Sequence, residues 1–152
     1  MDRVAIGNQE RSLRPACSIQ MQYTDELYNT KEESFDTFDA LISRIESVSL
    51  SLSVLHGMPF CVDLVRASGR LVVGLSDSGS FLMFVPADEE VDPVLYSLGN
   101  PEIEGSVRFF VGNASLISRK YLVPRDRAIA SIRFWFEKNE LGEEVKWTSA
   151  IF

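Results

Sequence analysis

One histidine, His56, and two cysteines, Cys17 and Cys61, are all that this 152-residue chain has of the soft metal ligands. Zinc sites draw clustered Cys and His at short, regular spacings, so neither a metal centre nor a redox motif is expected. Both cysteines fall in apolar alternating stretches and read as small core residues, with no disulfide framework. A zinc deaminase would need a His-x-Glu element and a Pro-Cys-x-x-Cys pair, whereas His56 is followed by Gly57 and Met58. The histidine is expected to cap a loop or face water. Gly74-Leu75-Ser76-Asp77-Ser78-Gly79 is one residue too long for a nucleophile elbow, and His56 precedes its serine where such hydrolases place the base afterwards. No phosphate-cradling glycine-rich motif is present either. The expectation is a protein that is not an enzyme, with no catalytic residues, no cofactor and no metal.

Two further shortages narrow the class. The 15 basic side chains are outnumbered by 22 acidic ones, and the net charge of -7 argues against direct nucleic-acid binding through phosphate neutralisation. A basic partner fits better. No window approaches the roughly 18 apolar residues of a membrane span, and Met1 to Asn8 lack the apolar run of a signal peptide. A cytoplasmic protein without a membrane partner is therefore expected.

What is present is enough apolar content, 45%, for one domain with a real core. Residues 1–15 are polar and aperiodic and read as a flexible N-terminal extension; residues 16–152 read as a single domain. Cys17, Ile19, Met21 and Tyr23 alternate with polar residues as a strand does. Ser34 is placed as the N-cap of a helix carrying Phe35, Phe38, Leu41, Ile42 and Ile45 on one stripe. Strand-like runs follow at Phe60 to Val65, Leu71 to Leu75 and Phe81 to Val85, joined by turn residues as an antiparallel meander. The stretch from Pro86 to Pro101 reads as turn-rich, then Ser106 to Val111 and Leu116 to Tyr121 read as a hairpin around Gly112-Asn113. Pro124 starts a second helix, which Gly142 stops, and Val145 to Ile151 alternate as a last strand. The sum is an α+β fold, a mostly antiparallel central sheet with two main helices packed against it. Trp135 and Trp147 fall on the apolar phase of their elements and are expected in the core.

Charge is distributed unevenly. Between Pro86 and Glu104 stand Asp88, Glu89, Glu90, Asp92, Glu102 and Glu104 with no lysine or arginine, a local negative field. From Arg108 to Arg133 the sign reverses, with Arg108, Arg119, Lys120, Arg125, Arg127 and Arg133 opposed only by Asp126, so a polarised molecule is expected. A charge run is by default a solvated loop. Here Val91, Pro93, Leu95 and Tyr96 lie among the acids, and apolar or aromatic anchors inside a charged rim are the make-up of a protein-binding patch. The candidate partner-binding residues are Asp88, Glu89, Glu90, Asp92, Tyr96, Glu102 and Glu104. Tyr96 carries two readings, interface anchor or core residue with its hydroxyl at the surface.

Taken in order, Tyr96-Ser97-Leu98-Gly99-Asn100, Val107-Arg108-Phe109-Phe110-Val111, Leu122-Val123-Pro124, a helix ending Phe134-Trp135-Phe136, and finally Trp147 resemble family one of the bacterial immunity proteins. These are the antidotes that accompany polymorphic toxins. The resemblance covers roughly Phe35 to Phe152, and departs at Asn100, where the family usually has an acidic residue. It implies a protein that binds a cognate toxin domain, often of the nucleic-acid deaminase class, in a tight one-to-one complex within the producing cell's cytoplasm. Charge is compatible with this, because a toxin acting on DNA or RNA needs a basic approach surface, and the Asp88 to Asp92 segment and its neighbours are expected to cover the toxin's substrate cleft. Within the motif, Gly99 reads as permitting a turn that a side chain would hinder. The alternative is a non-immunity interaction adaptor, and behind it a small enzyme without a recognisable motif.

Overall fold

Residues 18–152 are described by a computed structural model. The expected N-terminal extension and Cys17 lie outside them. The alternation of Ile19 and Met21 with Gln20 and Gln22 produces β1 (Ile19–Thr24), in which both apolar residues are buried. An unexpected strand, β2 (Thr30–Phe35), pairs antiparallel with it. Ser34 is therefore not a helix cap: it pairs with Gln20, and Phe35 pairs with Ile19. Helix α1 (Phe38–His56) begins three residues later than expected and is capped by Thr37, whose Oγ1 accepts from the Ala40 N–H at 3.3 Å. β2 lies at the edge of the sheet and carries Lys31, Glu32 and Glu33, so backbone pairing and side-chain bonds hold it in place of apolar alternation. Glu33 accepts from the Tyr23 hydroxyl at 2.7 Å and from Arg44 of α1 at 2.8 Å. The Arg44 bond is the main reason that the Glu33 carboxyl sits below the ordinary glutamate range.

The three apolar runs become β3 (Cys61–Arg66), β4 (Gly69–Gly74) and β5 (Phe81–Pro86). The stretch read as turns contains a short strand, β6 (Leu95–Leu98), and after β7 (Ser106–Phe110) and β8 (Ala114–Ser118) the chain makes a 3-10 turn at Arg119–Tyr121. Helix α2 (Arg125–Lys138) and strand β9 (Lys146–Thr148) complete the described chain. Pro124 stands at the N-cap of α2, its carbonyl accepting from Ala128 at 3.0 Å. The helix ends at Asn139, in the left-handed region at φ 57°, and not at Gly142. Arg66 donates to the carbonyls of Trp135, which also accepts from the Asn139 N–H, and Phe136 at that end, a cation where the helix dipole favours one.

Seven strands form one antiparallel sheet in the order β2-β1-β3-β4-β5-β6-β9, and β7 and β8 form a separate hairpin. Strand alternation sends the sheet's apolar residues to two cores. On one face Met21, Leu64, Leu71, Val73 and Leu82 meet Leu41, Ile45 and Leu52 of α1 and Ile132, Trp135 and Phe136 of α2. Each fully buried side chain of this kind contributes about 1.5–3 kcal/mol. On the other face Cys61, Val72 and Phe81 are covered by Phe109 of the hairpin and by Tyr121. Trp135 is buried as expected; Trp147 is half-buried and packs against the helix-side core. Among the described residues no helix is long and apolar enough to cross a membrane.

Candidate functional site

The Tyr96 to Asn100 segment is built into the scaffold. Ser97 is buried; its Oγ accepts from the Leu82 N–H at 3.0 Å and donates to the Tyr121 carbonyl at 2.8 Å. Tyr96 stacks on Tyr121 with ring centroids 4.7 Å apart, which places it in the hairpin-side core and gives it the scaffold reading. Burial, and then the neighbouring Tyr121, raise its hydroxyl above the ordinary tyrosine range. The Gly99 N–H donates to the Lys120 carbonyl at 2.7 Å. A Cβ on Gly99 would lie 1.9 Å from the Leu122 carbonyl oxygen. Close backbone approach therefore excludes a side chain there, and no left-handed turn is involved, since Gly99 is not among the positive-φ glycines. Together these groups clasp the 3-10 turn that leads into α2. Ser97→Ala is expected to cost about 2 kcal/mol, because it leaves a buried N–H and a buried C=O without a partner, and a urea denaturation series measures it.

The acidic residues are divided by β6. Asp88, Glu89, Glu90 and Asp92 form an exposed turn between β5 and β6, closed by Asp88, whose carbonyl accepts from Asp92 at 3.0 Å and whose Oδ1 accepts from the Glu90 N–H at 3.1 Å. Val91 at its tip is 74% exposed. Glu102 and Glu104, also exposed, follow the other end of β6, about 10 Å of strand away. The seven predicted residues thus fall in three places along the chain, four on the turn before β6, Tyr96 within it and two after it. Among the described residues no lysine or arginine forms an ion pair with any of these six carboxylates.

The basic segment does not face them as an opposite pole. Lys120 Nζ donates to the carbonyls of Pro101 and Ile103, and Arg119 to that of Glu104, so two cations are drawn into the backbone of the Glu102–Glu104 loop itself. Arg125 pairs with Glu46 at 2.6 Å and approaches Asp77 at 3.7 Å, and Arg133 pairs with Glu137. Among the described residues the Asp88–Asp92 turn is the part of the acidic segment that receives no bond from Arg119 or Lys120. Its base is anchored by the Ala87 N–H on the Ser68 carbonyl at 3.2 Å.

Two features were not picked out from the sequence. Asp63, the charged residue of the apolar run Phe60 to Val65, points away from the helices into a hollow of about 300 Å³ beside Arg70, Met83 and Phe110. Burial raises its carboxyl above the ordinary aspartate range, and the Arg70 guanidinium offsets this only in part. The folded chain consequently takes up a proton at Asp63 before the unfolded chain does as the pH falls. Stability gained from this group appears on acidification between the unfolded and folded values and is absent above the folded one. Asp63→Asn is accordingly expected to raise the melting temperature at neutral pH by a few degrees, corresponding to about 1 kcal/mol. Its neighbour Cys61 is buried, and burial followed by the charge of Asp63 pushes its thiol far up, so it is no nucleophile. The second feature is on α1, where Leu50 and Val54 are 70% and 77% exposed beside a groove floored by Met58 and Leu75. Their position off the buried stripe was the available signal.

His56, expected to cap a loop or face water, is half-buried at the end of α1, with its ring stacked on Phe110 at 3.9 Å between centroids. No group of three or more His, Cys, Asp or Glu side chains is placed to hold a metal among the described residues. Compared with known proteins, the chain matches no family model and no curated protein.

Proposed function

We propose that this chain is an immunity protein, which binds a cognate toxin domain of the nucleic-acid deaminase class and blocks its substrate cleft in the cytoplasm of the producing cell. The observation that carries this reading is the Asp88–Asp92 turn: four carboxylates on one exposed loop, none ion-paired among the described residues, around an exposed valine. A toxin that handles nucleic acid presents a basic cleft to phosphates. An acidic loop with an apolar tip competes for that cleft, and its charge speeds the encounter while the apolar contact holds the complex. The ordered resemblance from Tyr96 to Trp147 supports this reading, and within it Tyr96, Ser97 and Gly99 clasp the 3-10 turn.

The test is survival. Cells expressing the toxin domain encoded next to this chain are expected to die alone and to grow when the chain is co-expressed. Death in both cases, with the chain folded and present, would defeat the proposal. Growth rescued equally by a variant lacking all four acids of the turn would instead move the contact elsewhere on the surface.

A further inference from the structure

The hollow around Asp63 has the features of a site for a cation. It opens on the sheet face opposite the helices, beside the β7–β8 hairpin, and is bordered by Gln22, Arg70, Met83, Phe110 and Gly112. Its volume of about 300 Å³ is at the small end of ligand pockets, suited to one side chain. Asp63 is half-buried there with, among the described residues, a single ion pair, Arg70 Nη1 to Oδ2 at 3.5 Å, the long limit of a hydrogen bond. The hydrogen bonds of the described residues give its Oδ1 no donor. A carboxylate withdrawn from water and paired this loosely is under-compensated, and a second cation would complete it. Met83 and Phe110, one face of whose ring is taken by His56, line the hollow with apolar surface for an alkyl stem.

We propose that the Asp63 pocket receives an arginine side chain of the partner protein, its guanidinium paired with the Asp63 carboxylate and its stem against Met83 and Phe110. Guanidinium is preferred to ammonium because it is flat, weakly hydrated and able to share a carboxylate with a neighbouring arginine. The net charge of -7 favours a basic partner, the class from which such an arginine comes. This deepens the proposed function by naming what the toxin brings to a second contact point, away from the acidic turn.

The test uses n-butylguanidinium as the probe, titrated into the isotopically labelled chain at constant ionic strength and followed by amide NMR shifts. Saturable shifts confined to Gln22, Asp63, Arg70 and Gly112 are expected, absent with the uncharged isostere n-butylurea. Asp63→Asn is expected to weaken binding about tenfold or more. Arg70→Gln, which removes the internal competitor, is expected to tighten it. Scattered shifts, equal binding to Asp63→Asn, weaker binding to Arg70→Gln, or tighter binding of n-butylammonium would overturn the proposal. The probe stands in for the toxin, so failure here leaves the immunity reading intact, and failure of toxin rescue leaves this site intact.

Discussion

Replacing Gly99 with alanine is expected to destabilise the fold by about 3 kcal/mol or more, the largest effect of an added methyl group at any described glycine. The added Cβ would lie 1.9 Å from the Leu122 carbonyl oxygen and 3.0 Å from its carbon, so the backbone itself must move. Moving it stretches the 2.7 Å bond from the Gly99 N–H to the Lys120 carbonyl. The disturbance then reaches Val123, which exchanges two backbone bonds with Ser80 at 2.8 and 2.9 Å just before α2 begins. Gly112→Ala is the control: Gly112 has φ +76° but nothing within 4 Å of where the methyl group would sit, and its replacement is expected to cost only about 1 kcal/mol. Urea midpoints of the two variants decide the matter. Equal losses would mean that the close approach of Gly99 to Leu122 does not hold the 3-10 turn in place.

Reversing Asp88, Glu89, Glu90 and Asp92 to lysine is expected to slow association with the toxin by about tenfold to a hundredfold at low salt. The effect should shrink as salt is added, because exposed charges are screened beyond a Debye length. The four side chains are exposed and their carboxylates form no ion pair among the described residues, so the melting temperature should barely change. Reversing Glu102 and Glu104 should have a smaller effect, since Arg119 and Lys120 already dock on the backbone of that loop and dilute its field. Stopped-flow association rates at two salt concentrations measure both. Unchanged rates in the four-residue variant would remove the turn from the contact surface.

The difference between these two variants reflects what could be read from the chain. The central strands were legible because Phe60 to Val65, Leu71 to Leu75 and Phe81 to Val85 are apolar runs bounded by turn residues, and β3, β4 and β5 follow them closely. β2 was not, because an edge strand held by Glu33, Arg44 and backbone pairing needs no apolar alternation. β6 is only four residues long, and its most buried member is a serine. That one missed strand also bears on the site. Six acids close in sequence read as one field, and a strand between Asp92 and Glu102 sets them at the two ends of β6. The Asp63 hollow depends on where the β7–β8 hairpin packs, a long-range contact that no local pattern encodes.

The central claim is that this chain neutralises a toxin by binding it, and mixing the purified chain with the adjacent toxin domain while assaying the toxin's action on nucleic acid tests it most directly. The expected result is a one-to-one complex and activity that falls to zero at equimolar chain. Full toxin activity in the presence of excess folded chain, with no complex formed, would contradict it.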